Sequence, residues 1–400
     1  MLDSYRAVFA HPGARAFSAA GMLARLPISM MTLGIVLLVS SVTGSYALAG
    51  QVSAAYVVGN AVVAIPHGRL ADRFGQTVVL YADAVLFALT TGMLVQAATH
   101  QWAAPWPHVW AALSGATLPQ VGSMVRARWA HLVTSERERH TAFAVEAVGD
   151  EVVFVTGPAL VTFLSTLHAP QTGLIAALVV GTVGPLLLAL QRRTAPPVHR
   201  SESGSTVPMP WLRLLPLAAA AVAMGSLFGA LEVATVATAQ HAGHKAASGA
   251  LLAIFSLGSM VAGLVAGAVH WRTSDQRRFQ LGIGLLAAAM LVLPFLGDLV
   301  VLGALLFLIG LTLAPSLIAV VSLLEASTPR PRLTEAMAVF QTGISAGIAP
   351  GAYFAGVIAD DAGGSASYWV CVVSGALTLA AALLCRPAPV PDASQTTLPA

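Results

Sequence analysis

Long apolar stretches follow one another along nearly the whole chain, and only short polar segments separate them. A helix needs about 20 apolar residues to cross a bilayer. Because lipid offers no hydrogen-bonding partner, such a segment satisfies its own backbone groups by forming a helix. Only 9% of the 400 residues are charged, whereas a soluble domain has roughly 25%. The sequence therefore predicts an all-α integral membrane protein.

Glycine, proline and charged residues divide these stretches into twelve predicted membrane helices. They are 15–40, 45–68, 77–98, 104–126, 141–167, 172–191, 213–239, 248–270, 278–297, 299–324, 334–359 and 364–385. With twelve helices and both termini in the cytoplasm, every arginine and lysine except Arg25 and Lys245 lies on the cytoplasmic side. Basic residues collect on that side. We therefore expect a multi-pass protein of the plasma (inner) membrane with both termini cytoplasmic.

The chain is also expected to consist of two similar halves. The segment 191–212 is rich in proline, serine and charge, which predicts a flexible cytoplasmic linker. The predicted domains are an N-terminal six-helix bundle (1–190), the linker (191–212), a C-terminal six-helix bundle (213–385) and a disordered cytoplasmic tail (386–400). Glycine pairs at matching places in the second and eighth predicted helices favour an internal repeat.

The loop between the second and third predicted helices reads G-R-L-A-D-R-F-G-Q. It resembles the signature loop of the major facilitator superfamily: Gly68, Asp72, Arg73 and Gly75 match, and Gln76 replaces a basic residue. With the helix count, linker and orientation, the resemblance covers nearly the whole chain. It implies two pseudo-symmetric six-helix bundles that alternate access to a central site. It further implies that Asp72 helps hold the halves together near the positive end of the eleventh helix; the alternative is a merely solvated turn.

Small residues recur in helices that form the boundary between the halves in this superfamily. Gly343, Gly347 and Gly351 lie on one face of the eleventh helix, and Gly157 precedes Pro158 in the fifth. Small side chains let helix backbones approach closely in lipid. We therefore expect these residues to pack between the two bundles, as static contacts rather than as a hinge.

Three carboxylates interrupt the fifth predicted helix, in the sequence F-A-V-E-A-V-G-D-E-V-V-F-V-T-G-P. Glu146 lies about 8 Å from the helix start, and Asp150 and Glu151 about 14–15 Å, near the middle of a core ~30 Å thick. A charge at that depth costs at least about 2.5–3.5 kcal/mol. The three acids must therefore face protein or a water-filled cavity, be paired, or be protonated.

Arg25 is the one basic residue buried within a predicted helix, away from the helix ends, at about the depth of Asp150 and Glu151. One arginine can satisfy one or two carboxylates, which leaves at least one in excess. An excess buried acid can bind and release a proton, and this predicts proton coupling, with Asp150 as the leading group and Glu146 as the second. The alternatives are a structural lock between the first and fifth helices, and direct contact with substrate.

Other acids in the predicted helices have weaker assignments. Glu232 is the one acid buried within a predicted helix of the second half, away from the helix ends. The seventh helix lines the central cavity in the superfamily, so the resemblance makes Glu232 a candidate for contact with a cationic substrate or for proton transfer; a capped structural role is the alternative. Arg25 is the other candidate substrate contact. Asp83 is expected to pair with arginines of the inner loop, and Glu335 to lie at the positive end of the eleventh helix.

The resemblance extends in part to drug–proton antiporters of the superfamily. Gly157-Pro158 matches the end of their fifth-helix pattern, but Val153 and Val161 stand where glycines are expected. Their mid-helix arginine in the fourth helix is missing, since Arg126 is at the inner end. The implied function is proton-coupled export, by antiport, of a small lipophilic molecule that can be cationic. The alternatives are a proton-coupled uptake symporter and an uncoupled facilitator of a small metabolite.

The sequence contains no His-Glu-x-x-His pair, no nucleotide-binding loop and no sizeable soluble segment. We therefore expect no enzymatic activity, no cofactor and no metal site. The expected partners are a small-molecule substrate, protons and the lipid bilayer. No basic cluster suggests a nucleic-acid partner, and the protein is expected to be a monomer.

Overall fold

A computed structural model describes residues 2–133, 135–197, 208–268, 273–329 and 332–385. Fourteen α-helices occupy these ranges. They are α1 (Leu2–Ala10), α2 (Ala14–Thr43), α3 (Tyr46–Phe74), α4 (Gln76–Thr99), α5 (Trp106–Ala116), α6 (Val121–Leu132), α7 (Glu136–Leu167), α8 (Thr172–Leu190), α9 (Trp211–His241), α10 (Ala247–Ala268), α11 (Asp275–Met290), α12 (Leu299–Ser327), α13 (Leu333–Ala362) and α14 (Gly364–Leu384).

Eleven helices within the described ranges are long and apolar enough to cross a membrane. The fourth predicted membrane helix is not among these eleven, because it is broken into two shorter helices. α5 has 11 residues, α6 has 12 residues, and residues 117–120 separate them. The prediction of one continuous helix over 104–126 is therefore wrong. Pro119 explains the break, because it lacks a backbone donor, its ring clashes with a preceding carbonyl, and it disfavours helical geometry at Leu118.

The helices pack as two groups of six crossings. Within the first group, α2 packs against α7 and α8, α3 against α5, and α4 against α8. Within the second, α9 packs against α13 and α14, and α12 against α10 and α11. We call these groups the first half and the second half. The predicted all-α membrane fold is confirmed.

The two halves meet closely at one end of the molecule, where glycines remove the side chains between backbones. A Cβ atom on Gly50 of α3 would lie 2.5 Å from the carbonyl oxygen of Ala352 on α13, and one on Gly249 of α10 would lie 2.5 Å from that of Pro158 on α7. A Cβ atom on Gly356 would likewise overlap the carbonyl of Tyr46. We call this the closed end; it carries the turns 44–45 and 242–246.

The glycines of the eleventh crossing have a different neighbour from the predicted one. Gly343, Gly347 and Gly351 face α9 of the same half, with Gly347 against the carbonyl of Val222 and Gly351 against that of Ser226. Their spacing does place them on one face of α13, but that face is turned towards the second half's own core. These three glycines therefore pack within a bundle and not between bundles.

In the fifth membrane helix, one of the two predicted residues packs within its own half and the other lies between the halves. Gly157 faces Ser29 of α2 in the first half, so it too packs within its own bundle. Pro158 does lie at the boundary, because its carbonyl group meets Gly249 of the second half. Sequence spacing identified small residues at close helix contacts, but it did not identify the partner helix.

The beginning of the predicted linker is packed against the first half. Arg128, which is fully buried, donates to the carbonyl of Gln191 at 2.8 Å and to the hydroxyl of Thr194 at 2.9 Å. Thr194 in turn packs on Gly13, in the turn before α2. The centre of the linker and the tail from residue 386 lie outside the described residues. The division at 191–212 stays a prediction.

Replacing Gly347 by alanine is expected to lower the free energy of unfolding by about 1–3 kcal/mol, because the added methyl group would overlap the Val222 backbone. Gly284→Ala on α11 is the matched control, since its Cβ would meet only a side-chain atom at 3.9 Å. That change should be neutral or gain up to ~1 kcal/mol from helix propensity. Thermal unfolding of both purified variants measures the difference; equal midpoints would contradict the packing described.

Candidate functional site

The charged residues predicted in the first and fifth crossings come together inside the first half. The guanidinium group of Arg25 on α2 forms an ion pair with Glu146 through Nη2 and donates from Nη1 to Asp150 Oδ1 at 2.6 Å. Its Nε donates to the carbonyl of Gly21 at 3.1 Å. Gly149 on α7 lies beside this guanidinium group, where a Cβ would be in ordinary van der Waals contact, 4.0 Å from Arg25 Nη2.

Neighbouring helices supply Glu146 with both an ion pair and hydrogen bonds. Besides Arg25, its Oε1 accepts from the indole of Trp129 at 2.7 Å and from the hydroxyl of Ser18 at 3.0 Å. The side chain is 1% exposed, and the Trp129 ring is held edge-on by Phe17 at 4.6 Å between centroids. This carboxylate therefore links α2, α6 and α7 as a structural element.

Asp150 is shared between two arginines. Its Oδ1 binds Arg25, and its Oδ2 accepts from Nη2 of Arg126 at 2.7 Å. Arg126 lies on α6, beyond the break at Pro119, and Gly122 gives its guanidinium space, since a Cβ there would be 3.3 Å from Nη1. Asp150 is 32% exposed and Arg126 43%. The second arginine was not expected from the sequence.

Two arginines and two carboxylates therefore form one cluster in which every charge has a partner. Buried ion pairs are costly to assemble and much more costly to break by removing one member. The arrangement fits the structural lock, which was the alternative reading of the sequence, better than a proton site at Asp150 or Glu146. The unpaired carboxylate that the sequence predicts is therefore neither Glu146 nor Asp150.

Glu151 and Glu232 are the membrane acids without a cationic partner among the described residues. Glu151 is half-buried on α7 and forms no described hydrogen bond or ion pair. Glu232 on α9 accepts at Oε2 from the hydroxyl of Thr32 on α2, at 3.0 Å. Its Oε1 is buried and has no described hydrogen-bond partner. Because Thr32 and Glu232 belong to different halves, this carboxylate lies at the boundary between them.

The signature loop forms the turn between α3 and α4. Gly75 has a φ of +86°, a backbone geometry that favours glycine, and its N–H donates to the carbonyl of Ala71 at 2.9 Å. Arg73 is exposed and lies over the Phe74 ring, 5.2 Å from its centroid. Gly68 has open space around its missing side chain. The side chain of Asp72 lies outside the description, so its role stays a prediction.

Asp83 is paired differently from the expectation. Its Oδ1 lies 3.1 Å from Nε2 of His67 on α3, and both residues are 5% exposed. The buried imidazole reaches this carboxylate because it lies on the same side of the α3–α4 hairpin, while Arg73 of the loop is turned to the surface. The side chain of Glu335 is not among those described.

Comparison with known proteins shows the family to which the chain belongs. The family model of the Major Facilitator Superfamily matches residues 17–310 and 218–398. The chain belongs to the major facilitator superfamily, whose members are transporters. No curated protein matches the sequence.

Solved structures support the same fold at low sequence identity. The human organic anion transporter MFSD10 (TETRAN) is 16% identical with a TM-score of 0.64, covering 94% of this chain and 100% of that one. The POT family transporter PepTSo is 11% identical with a TM-score of 0.73, over 92% and 96%. A bacterial homolog of the human lysosomal transporter Spinster, inward-facing and occupied, is 13% identical with a TM-score of 0.64, over 92% and 93%.

Glu146→Gln is expected to lower the free energy of unfolding by about 3–5 kcal/mol, because it leaves Arg25 short of a carboxylate in a buried cluster. Glu151→Gln, five residues along the same helix, should change it by no more than ~0.5 kcal/mol, since Glu151 has no described partner. Thermal unfolding of the two purified variants provides the comparison. Similar losses of stability in both would argue against the lock.

Proposed function

We propose that the protein is a proton-coupled antiporter that exports a small lipophilic cation across the plasma (inner) membrane. The proposal depends on one observation above all: Glu232 is a carboxylate at the boundary between the halves, and among the described residues its Oε1 has no hydrogen-bond partner and the side chain has no cationic partner. A charge in that position is costly. Binding either a proton or a cationic substrate removes the cost.

Competition for one carboxylate gives exchange in a simple way. With the site facing the cytoplasm, the charged Glu232 side chain binds the cation and carries it across. On the other side a proton displaces the cation, and the neutral side chain returns. The proton gradient then drives the cation out, because protons enter as cations leave.

The Arg25 cluster supports the proposal because it pairs Glu146 and Asp150 and leaves Glu232 available to bind a proton or a cation. Arg25 and Arg126 balance the charges of Glu146 and Asp150, so these four side chains form a neutral cluster within the first half. The small number of charged side chains in the membrane helices suits a lipophilic substrate. We also propose that the termini are cytoplasmic, which would make the closed end the outer one.

Transport of tetraphenylphosphonium, a lipophilic cation, can be followed in liposomes that contain a pH-sensitive dye and hold a pH gradient. We expect cation-dependent proton flux in the native protein and a loss of at least about tenfold in Glu232→Gln, because the amide cannot exchange a proton for a cation. Glu151→Gln is the matched control, with the same chemical change in another membrane acid.

The outcomes separate the candidate functions. Loss of flux in Glu151→Gln alone would move the coupling site to α7. Cation movement without proton movement in the native protein would replace the antiporter by an uncoupled facilitator. Unfolding midpoints of both variants show whether a loss of flux reflects a loss of fold.

Orientation has a separate test that uses new cysteines, because the native Cys371 and Cys385 are buried. His100 is exposed at the closed end, and Arg193 is exposed near the linker. A membrane-impermeant maleimide should label His100→Cys in intact cells and label Arg193→Cys only after permeabilisation. The reverse pattern would place the termini outside.

A further inference from the structure

Asp360, in the last turn of α13, caps a helix that belongs to the other half. Its Oδ1 accepts from the backbone N–H of Tyr46 at 2.7 Å, and its Oδ2 accepts from the N–H of Ala47 and the hydroxyl of Ser45, each at 2.8 Å. The first N–H groups of a helix have no partner within it, and that end is positive. The carboxylate therefore satisfies donors that α3 cannot satisfy itself.

Lys245 holds the other side of the same turn. From the segment between α9 and α10, its Nζ donates to the hydroxyls of Ser41 at 2.5 Å and Ser40 at 3.2 Å, and to the carbonyl of Leu37 at 3.4 Å. These groups form the end of α2, which is its negative end. Burial lowers the pKa of Lys245 to about 8, so desolvation offsets part of this contact.

The two contacts converge on one hairpin. Residues 43–46 join α2 to α3 in the first half, and the second half supplies the anion for the start of α3 and the cation for the end of α2. Immediately below, Gly50 and Gly356 let the backbones of α3 and α13 touch. The halves cannot separate here without breaking the hydrogen bonds of both side chains.

We infer that Asp360 and Lys245 form a clasp on the α2–α3 turn that keeps this end shut, and that its release is required for the end to open. The clasp is independent of the solute and of proton coupling. Contacts made in one conformation alone shift the balance of conformations by their own free energy. Weakening the clasp therefore raises the population of molecules open at this end.

A cysteine at position 40 can measure that population. Ser40 is 2% exposed and touches Lys245, so a thiol there meets reagent only when the end opens. We expect Asp360→Asn to speed maleimide modification of Ser40→Cys about fivefold in lipid nanodiscs, with the modified peptide quantified by mass spectrometry. Asp361→Asn is the matched control: it removes the neighbouring exposed carboxylate, which has no described hydrogen bond.

A second variant covers a failure of Asp360→Asn to fold. Ser45→Gly removes the hydroxyl that binds Asp360 and keeps the start of α3, since glycine is tolerated at a helix N-cap. It should give a smaller increase, of about twofold. Modification of both folded variants at the Asp361→Asn rate overturns the proposal. Because the assay uses no solute and no pH gradient, its result is separate from that of the Glu232 experiment.

Discussion

The guanidinium group of Arg25 is a positive charge in the interior of an apolar bundle, and the packing around it follows from the need to match that charge. Transfer of an arginine to the middle of a membrane helix costs about 2.5–3.5 kcal/mol. Glu146 and Asp150 supply negative charge from α7, and Trp129, Ser18 and Arg126 complete the network from α2 and α6. The cluster therefore fixes three helices relative to one another.

The same network separates acids that are paired within the first half from acids without a described cationic partner. Glu146 and Asp150 have matched charges, so a change in either affects the packing of the first half. Glu232 is different, because its neighbour Thr32 supplies one hydrogen bond and no charge. A carboxylate at the boundary between moving halves can change its partner during a transport cycle, whereas one enclosed within a half cannot do so without disturbing that half.

Close backbone contact serves both the rigidity of each half and the contact between halves. Gly347 and Gly351 join α13 to α9 within the second half, and Gly50 and Gly356 let α3 and α13 meet across the boundary. The boundary contact adds charge to this packing, through Asp360 and Lys245 on the termini of two helices. Helix ends are suitable partners, because their unpaired backbone groups are available without changing the helix itself.

The sequence by itself determined the membrane class and eleven of the twelve predicted membrane helices with their approximate ends, as for the last helix, predicted at 364–385 and found at Gly364–Leu384. Hydropathy, charge and helix-breaking residues act locally, which is why these features can be read from one segment at a time. The break at Pro119 was visible in the same way but was missed. The position of Arg25, counted from the start of its helix, also predicted that it lies at the depth of the acids in the fifth membrane helix.

Only the tertiary structure decided which acids have partners. Arg25 and Glu146 are 121 residues apart, and Thr32 and Glu232 are 200 apart. Periodicity shows the face on which a side chain lies, but not the helix that covers that face. For this reason Gly343, Gly347 and Gly351 were assigned to the wrong neighbour, and Arg126 was not recognised as a partner of Asp150. Pairing depends on how whole helices pack, and that is a property of the assembled bundle.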